Sequence, residues 1–106
     1  FTYVDDLVNY IIKLIPKKPN KAIPFDVYNI GSGKPQSLKN FLKIICKKLN
    51  KKANIIYLPL QKGDVYKTHA DVTKIKKITK SSFYTDLENG IENFIKWYKG
   101  YYRYDW

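Results

Sequence analysis

Methionine is absent from these 106 residues, and cysteine, histidine and arginine occur once each, as Cys46, His69 and Arg103. One histidine and one cysteine leave too few soft ligands for a zinc-type centre, so no metal is expected. A lone thiol cannot staple the fold. Cys46 lies inside a helical pattern and reads as a small half-buried residue, and its isolation fits a reducing, cytoplasmic setting. No apolar run approaches the roughly 20 residues a membrane helix needs. The longest, Leu7 to Ile15, is broken by Asn9, Tyr10 and Lys13, and nothing resembles the apolar stretch of a signal peptide. The missing methionine and an opening of Phe1-Thr-Tyr-Val, which reads as mid-strand, predict a fragment or tail of a longer product.

Acidic residues are also scarce: nine, against 20 lysines and arginines, for a net charge of +11. Such a charge invites a nucleic-acid partner. Yet nearly all of it is lysine scattered along the chain, whereas specific nucleic-acid readers lean on the planar arginine fork. A composition rich in Lys, Ile, Asn and Tyr is what an AT-rich genome yields without selection for binding. The reading is therefore no nucleic acid and no membrane. Length and ordinary apolar content set one globular domain with a modest core.

Asp5 or Asp6 is placed to cap a helix from about Asp6 to Leu14, with Leu7, Val8, Ile11, Ile12 and Ile15 on its buried side; Pro16 ends it. Phe25 to Ile30 has the aromatic and branched alternation of a strand. Gly31 to Pro35 is a turn. Ser37 caps a second helix whose apolar side is Leu38, Phe41, Leu42, Ile45 and Leu49, with Lys39, Lys43 and Lys47 on a solvated face. Asn54 to Leu58 is a second strand, and Lys67 to Ala70 a short extended piece. Asp71 caps a short helix through about Ile78. Thr85-Asp-Leu-Glu88 has the form of a capping box and opens a final helix with Leu87, Ile91, Phe94, Ile95 and Tyr98 inward. The pattern predicts a small α/β unit whose few strands need a neighbour to complete a sheet.

Several motifs of chemistry fail on inspection. Gly31-Ser-Gly33 sits between a strand and a helix, but Gln36 stands where a dinucleotide fingerprint needs its third glycine. Lys34 is followed by proline, not by the Ser or Thr of a phosphate loop. Asp5 and Asp6 are adjacent, so on a helix they diverge, and they suit capping better than acid–base work. No tyrosine has a lysine four positions later. The chain carries no catalytic residues of its own. What survives is Gln61-Lys-Gly-Asp-Val65: an amide and a carboxylate three residues apart, with Gly63 between. Those groups suit a polyhydroxylated or phosphorylated ligand, and an ordinary turn reads equally well.

Taken together, Phe1-Thr-Tyr-Val-Asp-Asp-Leu7, Tyr28-Asn-Ile-Gly31, Leu58-Pro-Leu-Gln-Lys-Gly-Asp-Val65 with Thr68, Ala70 and Asp71, and Thr85-x-Leu-Glu-x-Gly-Ile91 with Phe94-x-x-Trp-Tyr98 form an ordered series over essentially the whole chain. The series resembles the carboxyl-terminal part of the NAD-dependent epimerase/dehydratases, the extended short-chain dehydrogenases. The Gln-x-Gly-Asp-Val form looks most like the UDP-glucuronate 4-epimerase group. The resemblance implies a small α/β substrate-binding subdomain, residues 1–106, lacking its Rossmann domain. It implies that Gln61, Gly63 and Asp64 lie against the ribose and diphosphate of a UDP-sugar, with Asp64 accepting from ribose hydroxyls. Asp71 and Thr85 would cap helices and Asp6 would be structural. NAD, and the catalytic tyrosine and lysine, would belong to the missing amino-terminal domain, and the full isomerase would be a homodimer. The segment would be inactive alone. A dehydratase or reductase of the same superfamily, or a small basic nucleic-acid-binding module, are the competing expectations. In-frame sequence ahead of Phe1 with a glycine-rich fingerprint and Tyr-x-x-x-Lys would favour the first reading.

Overall fold

A computed structural model of the chain describes residues 1–104. Four helices follow one another: α1 (Val4–Leu14), α2 (Leu38–Leu49), α3 (Thr73–Thr79) and α4 (Leu87–Tyr102). Among the described residues none is paired into a strand, so the α/β expectation is corrected to an all-helical one. The physical reason lies in the ladder. Alternation makes a segment extended, but a strand exists only when a second backbone accepts and donates its hydrogen bonds. The runs expected as strands, 25–30 and 54–58, find no such partner among the described residues.

The chain divides into two compact units, each made of two stretches of sequence. The first comprises Phe1–Pro35 and His69–Thr85. Here α1 packs on α3, and Tyr10, Val72 and Ile75 are buried together with Leu14, Tyr28, Ile30, Ala70, Ile78 and Phe83 around them. The Tyr10 ring meets Phe83 edge-on at 4.9 Å, and its hydroxyl accepts from the Phe83 N–H at 3.1 Å. This lets a large phenol sit fully buried with its polar end satisfied. Residues 69–72 run beside the 31–33 turn with no ladder. A Cβ on Gly31 would lie 3.0 Å from the Ala70 Cβ, and one on Gly33 (φ +66°) 3.0 Å from a Val72 methyl. His69 Nε2 is 3.3 Å from the Gly33 carbonyl oxygen.

One sequence expectation is reversed in α1. Leu7, Val8, Ile11, Ile12 and Ile15, assigned to its buried side, are exposed, and Tyr10 is the residue that goes inward. Neither Asp5 nor Asp6 caps this helix; the N-cap is Tyr3, with no side-chain cap. Asp6 instead accepts from the Thr85 N–H at 2.6 Å and from the Thr85 hydroxyl at 3.0 Å. That pairing diverts Thr85 from the expected capping box.

The second unit comprises Gln36–Thr68 and Asp86–Trp106. Its α2 begins as expected, with Ser37 Oγ accepting from the Asn40 N–H at 3.1 Å. It ends on Asn50 in the left-handed region (φ 51°), a conformation asparagine tolerates. α4 is capped by Asp86, whose carboxylate accepts from the Asn89 N–H at 3.0 Å. α2 and α4 pack together, and Ile91 is the buried apolar residue among the described residues of this unit. Lys48 reaches Glu92 at 2.6 Å and Glu88 at 3.5 Å, while Lys96 meets Glu92 from the next turn at 2.8 Å. Lys39 and Lys43 are exposed, as a solvated helix face requires.

Candidate functional site

The segment singled out by sequence folds into a tight turn in the second unit. The Asp64 N–H donates to the Gln61 carbonyl at 3.1 Å, and Gly63 takes φ +96°. A positive φ at the third position of a four-residue turn is the requirement that selects glycine in type II geometry. A Cβ there would meet nothing within 4 Å, so the demand is for backbone conformation alone. The turn brings the ends carrying Gln61 and Asp64 to within about 7 Å, Cα to Cα. Both side chains are exposed, as is every residue from 51 to 68. Among the described residues neither has a side-chain partner, so the amide and the carboxylate of one turn both keep free hydrogen-bonding capacity. The amide both donates and accepts; the carboxylate accepts only. That pair is suited to a ligand with hydroxyls and acceptor oxygens.

Around the 31–33 turn of the first unit the structure answers a different question. A dinucleotide loop uses its glycines so that backbone can approach a pyrophosphate. Here Gly31 and Gly33 are consumed by the close approach of Ala70 and Val72. Lys34, the one cation in that turn, sits 3.9 Å over the Tyr84 ring. The residues present do not fit NAD. Among the described residues no three of His, Cys, Asp and Glu converge as metal ligands, and Cys46 is a partly buried free thiol. Among the described residues no helix is long and apolar enough to cross a membrane.

Two polar groupings escaped the sequence reading. Asp26, its side chain 14% exposed, accepts from both Lys21 and Lys74. Lys74 also donates to the Val27 carbonyl at 2.7 Å and lies 4.7 Å over the Tyr28 ring. Lys74, then Lys21, hold the Asp26 carboxyl far below the usual carboxylate range. This grouping pins the extended 21–28 stretch to α3 in place of a ladder. The other is the Asp6–Thr85 pair. Asp71, expected to cap α3, does not: the N-cap is Val72, with no side-chain cap, and Asp71 instead accepts from the Thr73 N–H at 2.9 Å, hydrogen bonding that lowers its pKa. Pairing of residues 48 and 79 positions apart leaves no local signature. The Asp86 cap was legible, since an aspartate three residues before Asn89 competes with Thr85 for that role.

The geometry defines a lysine-rich helical chain with an exposed amide–carboxylate turn. Comparison with known proteins adds a direction. No family model matches the chain. It is similar to an uncharacterized protein of Methanocaldococcus jannaschii, 37% identical over 92% of this chain and 29% of that protein. It is equally similar to protein CapI of Staphylococcus aureus, 37% identical over 97% of this chain and 35% of that protein. A probable UDP-glucuronate 4-epimerase of Rhizobium meliloti is 34% identical over 97% of this chain and 35% of that protein. Homologues at 31–37% identity thus include proteins named UDP-glucuronate 4-epimerases. The chain spans about a third of the length of the curated relatives it matches.

Proposed function

We propose that residues 1–106 are the nucleotide-sugar-binding part of an NAD-dependent UDP-sugar 4-epimerase of the UDP-glucuronate type, an isomerase of the extended short-chain dehydrogenase family. The observation that carries this reading is the ordered likeness, over nearly the whole chain, to proteins named for that activity. The open turn at Gln61–Asp64 supports it, because its free groups match what a ribose and a diphosphate offer.

In this reading Asp64 accepts hydrogen bonds from the ribose hydroxyls. The Gln61 amide and the neighbouring backbone N–H groups donate to phosphate oxygens. Gly63 holds the turn and admits the ligand to the backbone. NAD and the residues that move hydride and proton belong to sequence outside these 106 residues, as does the remainder of the sugar site. The segment is inactive alone, the complete enzyme works as a cytoplasmic homodimer, and neither nucleic acid nor membrane is a partner.

Calorimetric titration of the chain with UDP, UDP-glucuronate and free glucuronate tests the assignment. UDP and UDP-glucuronate are expected to bind and glucuronate is not. Asp64→Asn is expected to weaken binding about tenfold, the size of one charge-assisted hydrogen bond. Equal binding by wild type and Asp64→Asn, or none by either, would remove the site. Turnover of UDP-glucuronate, UDP-glucose and dTDP-glucose by the chain joined to its amino-terminal remainder separates an epimerase from a dehydratase or reductase.

A further inference from the structure

Residues 51–68 are exposed throughout, and in that stretch four lysines stand against a single carboxylate, Asp64. Lys51 and Lys52 come well before the turn and Lys67 follows it. Lys62 lies inside it, at the corner between Gln61 and Gly63. Elsewhere in the second unit lysines seek out carboxylates: Lys48 reaches Glu88 and Glu92, and Lys96 reaches Glu92. In the turn this does not happen. Among the described residues Lys62 has no partner, although Asp64 follows two positions on. A cation and a carboxylate therefore stay open in one turn, with the neutral Gln61 amide between chain and ligand.

Charge balance gives that arrangement a meaning. The reading above sets Asp64 against ribose hydroxyls, and Gln61 with backbone N–H groups against phosphate oxygens. A carboxylate held this close to a diphosphate repels it, since like charges a few ångströms apart oppose each other even in water. Neutral donors do not offset that repulsion. A lysine ammonium does: it is a compact charge with three donors on a flexible stem, and it meets a phosphate oxygen without a fixed geometry. Lys62 is the cation the turn itself carries. Its position is also the one that Gln-x-Gly-Asp-Val leaves open, so the charge is a property of this chain and not of the pattern.

We propose that Lys62 sets the specificity of the turn. Its ammonium pairs with a phosphate oxygen and makes the site prefer a nucleoside diphosphate to the uncharged nucleoside. The inference rests on the reading of Gln61–Asp64 as a nucleotide-sugar site, to which it adds a residue and a ranking. Affinity follows the phosphate charge, UDP above UMP above uridine. Uridine offers hydroxyls to Asp64 and no charge to Lys62, so it isolates the ribose part.

Titration of the 106-residue chain with these three ligands, followed through the amide proton and nitrogen shifts of residues 61–64, is the test. Lys62→Gln is expected to weaken UDP about fivefold, the upper end for an exposed ion pair, and to leave uridine unchanged. Lys62→Arg is expected to restore UDP binding, because it restores the charge. Added salt is expected to weaken UDP more in the wild type than in Lys62→Gln. Lys67→Gln removes a lysine outside the turn and is expected to change nothing. These side chains are exposed, so the variants keep their helices, which circular dichroism verifies. A UDP-to-uridine preference that survives Lys62→Gln, or that Lys67→Gln lowers equally, overturns the proposal. The ribose reading has its own readout. If Asp64→Asn binds uridine as the wild type does, that reading falls while a Lys62-dependent preference for UDP stands. Loss of uridine in Asp64→Asn with no effect of Lys62→Gln does the reverse. No binding of any of the three by the wild type overturns both.

Discussion

The two compact units solve the same problem with different chemistry. The first has a true if small core: Tyr10, Val72 and Ile75 are buried side by side, and the tyrosine hydroxyl is satisfied by a backbone N–H. The second buries one apolar residue among its described ones, Ile91, and lines its α2–α4 contact with lysine–glutamate pairs. Apolar burial stabilises in proportion to area, whereas exposed ion pairs contribute little and are screened by salt. The first unit is therefore expected to be the stronger part of the chain, and the second the part most sensitive to solution conditions.

Native-state hydrogen exchange reads each unit separately and is the measurement on which this contrast stands or falls. The largest effect is expected from Ile75→Ala, which deletes a side chain of 0% exposure from the three-residue core. A loss of about 2–5 kcal/mol is expected in first-unit amides, and a smaller one in second-unit amides for Ile91→Ala. Equal losses would erase the contrast. Next comes Asp6→Ala, which strands the Thr85 N–H and hydroxyl and should cost about 1–3 kcal/mol, read as faster exchange at Thr85. Unchanged exchange there would mean that water replaces the carboxylate.

Acid sharpens the comparison. Lys48, then Lys96, lower the Glu92 carboxyl from 4.5 to about 2. A carboxylate depressed in the folded state contributes stability that is complete above its unfolded value and lost as pH falls through its folded one. The second unit should thus weaken between pH 4.5 and about 2. Asp26, held lower still, stays ionised in the folded state through that interval, but by the same rule its contribution to the first unit also declines below 3.8 and is exhausted only at a lower pH than that of Glu92. Glu92→Gln should flatten the pH dependence of the second unit; an unaltered profile would show that another group is responsible. The smallest effect belongs to Gly63→Ala, about 1 kcal/mol from the positive φ alone, since its Cβ would meet open space. It should appear as a shift in loop exchange, with no change in α2 or α4.

Helices were legible because their signals are local. Ser37 and the spacing of Leu38, Phe41, Leu42 and Ile45 are enough to place α2, and the structure agrees. Strands were not, because alternation in 25–30 and 54–58 says nothing about whether a second backbone lies alongside. The apolar stripe of α1 was found correctly and oriented wrongly: periodicity identifies a face but not what it faces. Charges fared worst. Asp6 read as a helix cap and Asp26 carried no signal at all, and their partners Thr85 and Lys74 lie 79 and 48 residues away. The Gln61–Asp64 turn was the reverse case, since a glycine between polar residues signals a positive φ by its lack of a Cβ.

The Asp6–Thr85 and Tyr10–Phe83 contacts have a consequence for biosynthesis. A nascent chain that has emerged only through residue 82 holds α1 with no hydrogen-bond acceptor role yet filled by Asp6 or by the Tyr10 phenol. Everything from Gln36 to Thr68 must leave the ribosome before these ties can form. Long-range closure of this kind is slow relative to helix formation, so α1 waits during translation with both of its sides uncovered. That interval is when a chaperone that recognises apolar helices would have its opportunity.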